Sequence, residues 1–521
     1  MAKLRCGYII LPEIKSWKSG KRMRLKNSLY NTFFLLIQQL VTAVYGLVIP
    51  SLIIKTYGSS VNGVVSSITQ FLSYITLLEA GVGGVITAAM YKPLAERNEN
   101  KLSGIVIATE QFFRKLAKIF IIYLVILAII YPYFVKDKFD WLFTFTLVLI
   151  ISISTFVQYY FGITYQMLLG ADQKSWIVAC IQIISTIISF GVTLLCVYKN
   201  TSIHTLKVIT TLVYVFRPVA FNYFVKRHYK INRYVEPDNE ALKHRWDGLA
   251  HHIAYIIHCN TDMTVLTIFS NVLEVSVYSV YYNIVVNIGK VVSSFSSGIK
   301  ASIGNLIACG KMDSVKQILD EFETLYFMII TIFYTCIIIL VVPFVSIYTR
   351  GVADVNYCRP TFSILLACAE AAYALRNPYD MVIFASGHFK QTKKGAYEEA
   401  FINIAISVIL VKRYGIIGVA IGTLVAMLFR VFQYVLYLKN NILFRSPSIF
   451  LKKLCLNVLI GFIVVVSSQY ISIETKNYFQ WAQYAFFVLI YTTSTVFLIN
   501  IIFYKKEVFG IVRHFRKNKN K

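Results

Sequence analysis

The sequence predicts an all-α integral membrane protein with about 14 transmembrane helices, arranged as two pseudo-symmetric six-helix lobes around a central cavity plus two C-terminal helices. Composition, the length of the apolar runs and the distribution of basic residues predict this class. Of the 521 residues, 57% are apolar and 15% charged, whereas soluble domains average roughly 45–50% and about 25%. The 38 Phe and 36 Tyr exclude intrinsic disorder. Nine cysteines are too sparse, and odd in number, for a disulfide scaffold.

Fourteen apolar runs of about 20 residues or more are long enough to cross a bilayer as helices. They are longer than barrel strands and do not alternate apolar with polar residues, so helices are predicted rather than a membrane barrel. The runs occupy residues 29–53, 61–90, 108–133, 141–168, 175–198, 204–225, 247–270, 275–306, 322–348, 358–385, 396–414, 416–438, 453–473 and 478–504.

These runs divide the chain into six segments. They are a basic N-terminal segment (1–28), an N-lobe of helices 1–6 (29–225), a linker (226–246), a C-lobe of helices 7–12 (247–438), helices 13–14 (453–504) and a basic tail (505–521). The linker is the longest predicted soluble segment, and the sequence has no phosphate-binding Gly-x-x-x-x-Gly-Lys-Ser/Thr motif. An ATP-hydrolysing motor within this chain is therefore not expected.

The net charge of +27 has an uneven distribution along the chain. About 36 of the 52 Lys and Arg residues fall in the two terminal segments and in every second loop, and about 10 fall in the other loops. Because basic loops are retained on the cytoplasmic side, we expect both termini to lie on the cytoplasmic side of a plasma membrane. This distribution accounts for most of the charge without nucleic-acid binding.

The second half of the sequence weakly repeats the first, with a nearly constant offset between equivalent residues. Leu169-Gly170 and Lys174 after the fourth run resemble Ser386-Gly387 and Lys390 after the tenth, and Thr211-Leu212-Val213 resembles Thr423-Leu424-Val425. Six helices separate the two copies, so both copies have the same orientation and predict two lobes related by an axis along the membrane normal. Transporters built in this way alternate access to a site near the midplane.

Several motifs resemble those of bacterial polysaccharide (Wzx-type, lipid-linked oligosaccharide) flippases of the multidrug/oligosaccharidyl-lipid/polysaccharide exporter superfamily. The resemblance covers about residues 23–440 and is carried by Leu77-Leu-Glu79-Ala-Gly81-Val-Gly83-Gly84, Tyr91-Lys92-Pro93-Leu94-Ala95, Ala171-Asp172-Gln173-Lys174, Ala301-Ser302-Ile303-Gly304-Asn305-Leu306, Gly387-His388-Phe389-Lys390 and Gly415-Ile-Ile-Gly418-Val-Ala420-Ile-Gly422-Thr423-Leu424.

The resemblance implies a flippase rather than an enzyme. The implied substrate is an undecaprenyl-pyrophosphate-linked oligosaccharide unit, moved to the outer leaflet for capsule or exopolysaccharide assembly. It also implies a Na⁺ or H⁺ gradient as the driving force, no cofactor, and a polysaccharide polymerase and a priming transferase as partners. The alternative is a cation-coupled multidrug exporter of the same superfamily. A polymerase or glycosyltransferase is less favoured because the chain has neither a large external loop nor a soluble catalytic domain.

Polar residues inside the runs are candidate functional residues because burying them in a membrane costs a few kcal/mol. The candidates for a substrate cavity that binds phosphate or sugar are Lys290, Lys300, Arg217, Arg376, Gln38 and Gln39. Each has a structural alternative. Lys290 could be neutralised by Glu79 or Asp262, and Lys300 could extend towards the membrane surface. For Arg217 and Arg430, which occupy like positions in the two halves, such extension is favoured over substrate contact.

Two further alternatives concern helix geometry and packing. Arg376 and Asp380 stand four residues apart beside Pro378, which favours a local ion pair at a helix break. Gln38 and Gln39 could line a sugar-binding cavity or could only hold helices together.

The second candidate set is a coupling or charge network. Its members are Glu79, Asn260, Asp262, His258 and Glu370. His258 and Asp262 share a helix face at a spacing of four. They could form a cation or proton site, or a hydrogen-bond network between helices. Gly81, Gly83 and Gly84 are predicted to allow close packing or a hinge in the second run.

Overall fold

The computed structural model describes residues 10–79, 82–242, 249–470 and 475–519, and this part of the chain is helical without strands. Its helices are α1 (Ile10–Tyr57), α2 (Ser59–Ser73), α3 (Thr76–Glu79), α4 (Val82–Glu96), α5 (Glu99–Phe134), α6 (Trp141–Val157), α7 (Ile163–Ala171), α8 (Ser175–Tyr198), α9 (Ile203–His228), α10 (Leu249–Phe269), α11 (Val272–Ala308), α12 (Met312–Tyr348), α13 (Pro360–Leu375), α14 (Asn377–Ala385), α15 (Lys393–Tyr414), α16 (Ile416–Asn441), α17 (Pro447–Ser468) and α18 (Tyr478–Lys519). The all-helical class is confirmed.

Within the described residues, 11 helical segments are long and apolar enough to cross a membrane, so the predicted count of 14 is not confirmed. The three predicted runs outside that set are 247–270, 358–385 and 396–414. All three are helical where described, but polar residues lower the hydropathy of α10 and α15, and the run 358–385 is divided into α13 and α14.

The chain forms two compact units. The first unit contains Met1–Ile49 and Leu78–Trp246, and the second contains Pro50–Leu77 and Asp247–Lys521. The segment from Pro50 to Leu77 lies in the N-lobe predicted from the sequence (29–225), but it belongs to the same compact unit as the second half of the chain.

In the first unit, α5 packs against α6, and α8 packs against α9. A π-helical turn from Gln158 to Gly162 separates α6 from α7. A Cβ on Gly162 would lie 3.0 Å from the Cβ of Pro218, so this turn packs directly against α9. In the second unit, the corresponding run breaks between α13 and α14 at Arg376, and the offset from Gln158 to Arg376 is close to that of the sequence repeat. Both halves therefore interrupt the same helix of the predicted repeat.

The second unit has an apolar core shared by helices α10 to α16, with α17 and α18 packed on α12. Helix α2 joins this unit through close packing and polar side chains. A Cβ on Gly63 would lie 1.8 Å from the carbonyl oxygen of Val272, so only glycine permits this approach to α11. Beside this contact, Asn62 donates to Ser276 at 2.8 Å. Small residues and buried hydrogen bonds are how membrane helices associate in the absence of a hydrophobic drive.

Candidate functional site

Helix α11 has a polar face that begins near its middle. Asn283, Asn287, Lys290 and Ser294 follow one another at spacings of four, three and four residues, so they share one side of the helix. Lys290 is exposed, and its Nζ donates to Oδ1 of Asn287 at 3.3 Å. Lys300 is also exposed, three turns further along. This arrangement presents ammonium, amide and hydroxyl groups together on a helix that is otherwise apolar enough to cross a membrane.

Among the described residues, no carboxylate lies within ion-pair distance of Lys290. Asp262, one of its two expected partners, instead accepts hydrogen bonds from Tyr278 at 2.6 Å and from Thr423 at 2.8 Å. Glu79, the other, accepts a hydrogen bond from Tyr159 within the first unit. The Lys290 ammonium therefore keeps its charge available to an anion.

Arg376 and Arg430 share one carboxylate partner, Glu399 of α15. The Arg376 Nη1 lies 3.1 Å from one carboxylate oxygen, and the Arg430 Nε lies 3.3 Å from the other. Glu399 and Arg430 are almost completely buried, at 2% and 1% exposure. The expected ion pair between Arg376 and Asp380 does not form, because Arg376 directs its guanidinium to Glu399 and over the ring of Tyr373 at 3.8 Å.

His258 and Glu370 form a second buried pair, with 3.4 Å between Nε2 and a carboxylate oxygen. The imidazole stacks on Tyr373 with ring centroids 4.3 Å apart. Its Nδ1 is buried, and no hydrogen-bond partner for it lies in the described part of the chain. Tyr373 also contacts Arg376, so the His258–Glu370 pair and the Arg376–Glu399–Arg430 chain are joined into one network across α10, α13, α15 and α16.

Asp262 lies at the centre of a cluster of oxygen atoms. Thr423 of α16 donates to its carboxylate, and Asn403 of α15 donates to the Thr423 hydroxyl at 3.0 Å. The Asn403 Oδ1 is buried and has no hydrogen-bond partner among the described residues. Asn260, also predicted, lies on the same helix as Asp262 but accepts hydrogen bonds from Gln70 and Ser73 of α2.

In the first unit, the Arg217 guanidinium bonds to two hydroxyl groups of α8. Its Nε donates to Ser185 at 2.5 Å, and its Nη2 donates to Thr186 at 3.1 Å. Gln38 donates to Gln182 of the same helix. Gln39 is exposed. Both hydroxyl partners of Arg217 lie well inside α8, and the extension of Arg217 towards a membrane surface stays a prediction.

The three predicted hinge glycines differ in their surroundings. Gly81 lies outside the described residues. A Cβ on Gly83 would lie 3.1 Å from the methyl carbon of Met167, whereas nothing lies within 4 Å of a Cβ on Gly84. Close packing therefore explains a glycine at 83 but not at 84, and the hinge stays a prediction.

Sequence reasoning did not identify Glu399, Asn403 or Thr423 as parts of a site. The adjacent acidic residues Glu398 and Glu399 inside the run 396–414 were a usable signal, because charges are rare within transmembrane helices. Thr423 belongs to two of the sequence motifs described above, but neither motif relates it to Asn403 or to Asp262. The described residues contain no cluster of three or more His, Cys, Asp or Glu side chains that could hold a metal ion.

The fold is similar to those of a solved lipid II flippase and of solved MATE transporters, and the described apolar helices make the chain a multi-pass membrane protein. The lipid II flippase MurJ in an inward closed conformation superimposes with a TM-score of 0.68 at 16% identity, covering 92% of this chain and 99% of MurJ. An inward-facing multidrug resistance MATE transporter of the MOP superfamily superimposes with a TM-score of 0.59 at 12% identity, covering 76% of this chain and 94% of the transporter. The Vibrio cholerae MATE transporter VcmN in its bent form superimposes with a TM-score of 0.51 at 12% identity, covering 85% of this chain and 99% of VcmN. No protein-family model and no curated protein matches the sequence.

Proposed function

We propose that this protein is a flippase for undecaprenyl-pyrophosphate-linked oligosaccharide units, which it moves from the inner to the outer leaflet for capsule or exopolysaccharide assembly. The observation that carries the proposal is the polar face of α11 with the unneutralised Lys290. A pyrophosphate carries negative charge, and burying it in a low-dielectric region is costly unless cations and hydrogen-bond donors replace its hydration. Lys290 and Asn287 supply such groups.

The structural neighbours support a lipid-linked substrate. The solved structure described as a lipid II flippase covers 92% of this chain, whereas the inward-facing MATE transporter covers 76%. The multidrug exporter alternative therefore leaves more of the chain without a counterpart. A priming transferase would supply the lipid-linked unit, and a polymerase would consume it.

We also propose that a monovalent cation bound at Asp262 drives alternating access. One carboxylate surrounded by neutral oxygen atoms suits Na⁺, because divalent cations are usually held by more than one carboxylate. The unpartnered Oδ1 of Asn403 and the hydroxyl of Thr423 are the neutral oxygens in this cluster. This composition favours Na⁺ over a proton, which would need only the carboxylate.

The test uses a strain that lacks the gene, complemented with wild-type protein, Lys290→Ala or Lys290→Arg. We expect complete lipid-linked repeat units to accumulate and surface polymer to be lost in the deletion strain and in Lys290→Ala. Lys290→Arg keeps the charge and should restore most export. The measurements are carrier-lipid extraction and surface polymer, with insertion checked on membranes.

Incomplete units in the deletion strain would instead indicate a role in synthesis. Unchanged lipids and polymer combined with increased drug sensitivity would favour the exporter. Normal export by Lys290→Ala would refute the assignment of the α11 face.

A further inference from the structure

Two arginines occupy the same position in the two halves of the chain but have different partners. Arg217 and Arg430 stand equally far from the first residues of their helices, Ile203 of α9 and Ile416 of α16, and the two helices are of equal length. Each guanidinium contacts the preceding helix of its own half. Arg430 contacts a carboxylate there, and Arg217 contacts only hydroxyl groups.

The Arg217 charge is therefore not compensated within the described part of the first unit. The Arg217 guanidinium lies 4.3 Å over the ring of Tyr214. A buried or half-buried cation without an acidic partner is costly in a membrane unless a ligand supplies the opposite charge. The planar guanidinium fork also matches phosphate geometry.

The depth of the site fits a group that crosses the membrane. Ser185 and Thr186 lie about three turns into α8, which begins at Ser175. At about 1.5 Å per residue, the guanidinium lies about 16 Å from that helix end. This is close to half of the roughly 30 Å hydrocarbon thickness of a bilayer.

An apolar cleft lies directly beside Thr186. It is formed by α1 and α8, has a volume of about 290 Å³, and is lined by Leu40, Val41, Val44, Tyr45, Ile187 and Phe190 together with Thr186. A cation with hydroxyl groups next to an apolar cleft is suited to a phosphate that carries a hydrocarbon chain.

We propose that Arg217, Ser185 and Thr186 form a phosphate-binding site in the first unit that takes the pyrophosphate of the lipid carrier, with the adjoining part of its chain in the α1–α8 cleft. This inference rests on the proposed flippase function. It assigns to the first unit an anion contact of its own, separate from the polar face of α11 in the second unit. It also separates Arg217 from Arg376 and Arg430, which both pair with the carboxylate of Glu399.

Two substitutions of Thr186 test the site. In the second unit, Glu399 on the preceding helix pairs with Arg430. Thr186→Asp places a carboxylate at the equivalent position relative to Arg217. It should therefore neutralise Arg217 without loss of thermal stability. Thr186→Val has nearly the same shape and removes only the hydroxyl. We expect Thr186→Asp to weaken binding of undecaprenyl pyrophosphate by about tenfold or more, because a charge-assisted contact is lost, and Thr186→Val by less than about threefold.

The measurement is binding of undecaprenyl pyrophosphate to the full-length protein in phosphatidylcholine nanodiscs, with phosphatidylglycerol as the competitor. Arg217→Lys keeps the charge but not the fork, and we expect it to lie between wild type and Thr186→Asp. Wild-type affinity in Thr186→Asp would overturn the proposal. Equal competition by phosphatidylglycerol would also overturn it, because the site would then take bilayer phospholipid.

The cellular result separates this proposal from the proposed function. If the deletion strain loses export and Thr186→Asp restores it fully, the Arg217 site is refuted and the flippase function stands. If the deletion strain exports normally, the flippase function fails whatever the binding result.

Discussion

Glu399→Gln is expected to destabilise the second unit strongly. Glu399 is 2% exposed and is the shared partner of Arg376 and Arg430. The amide has nearly the same shape as the carboxylate, so packing is kept and only the charge is removed. Removing one member of a buried ion pair costs about 3–5 kcal/mol, because the remaining charge is left buried without compensation. Most of this cost comes from the charge of Arg430, because its side chain is 1% exposed.

The neighbouring Glu398 provides a matched control. Its side chain is 39% exposed, and its partner Lys394, four residues earlier on α15, is 88% exposed at a distance of 3.7 Å. An exposed pair at this spacing contributes about 0.3–0.5 kcal/mol. Glu398→Gln should therefore have at most a small effect on the free energy of unfolding.

The assay is unfolding of the purified protein in mixed micelles, with helicity as the signal. We expect Glu399→Gln to lower the free energy of unfolding by several times more than Glu398→Gln. If Glu399→Gln does not fold, the double variant Glu399→Gln/Arg430→Gln should recover part of the loss, because it removes the uncompensated charge. Equal effects of the two single glutamine variants would refute the buried-pair interpretation.

Two further predictions concern packing and the ion site. Gly63→Ala should detach α2 from α11, because the added methyl group would lie 1.8 Å from the Val272 carbonyl oxygen. Gly84→Ala should instead leave the free energy of unfolding unchanged or raise it by up to about 1 kcal/mol. Protease sensitivity in membranes distinguishes the two variants. Asp262→Asn should abolish the stabilisation that Na⁺ gives relative to choline. For the wild type at a Na⁺ concentration of 100 times the Kd, this stabilisation is about 2.7 kcal/mol. A Na⁺ effect that persists in Asp262→Asn would refute the cation site.

The helical class could be predicted from sequence because apolar runs report membrane helices directly. The partners of the charged residues could not. Arg376 and Asp380 have a spacing that favours an ion pair on a continuous helix, but Arg376 lies between α13 and α14 rather than inside a helix. Its observed partner Glu399 is 23 residues away on another helix. No spacing rule selects such a pair, because it depends on how α13 and α15 each pack against α16.

Hydropathy alone therefore gives least weight to the helices that carry the buried polar network of the second unit. Three predicted runs fall short of the membrane-helix criterion, namely 247–270, 358–385 and 396–414. These runs contain the His258–Glu370 pair and the residues Asp262, Arg376 and Glu399. Each of these polar groups is buried against a partner on another helix. Ionisable residues persist inside membranes only where such partners or a water-filled cavity receive them. In this protein, a helix of low hydropathy between apolar neighbours marks the polar network rather than an error in the assignment of spans.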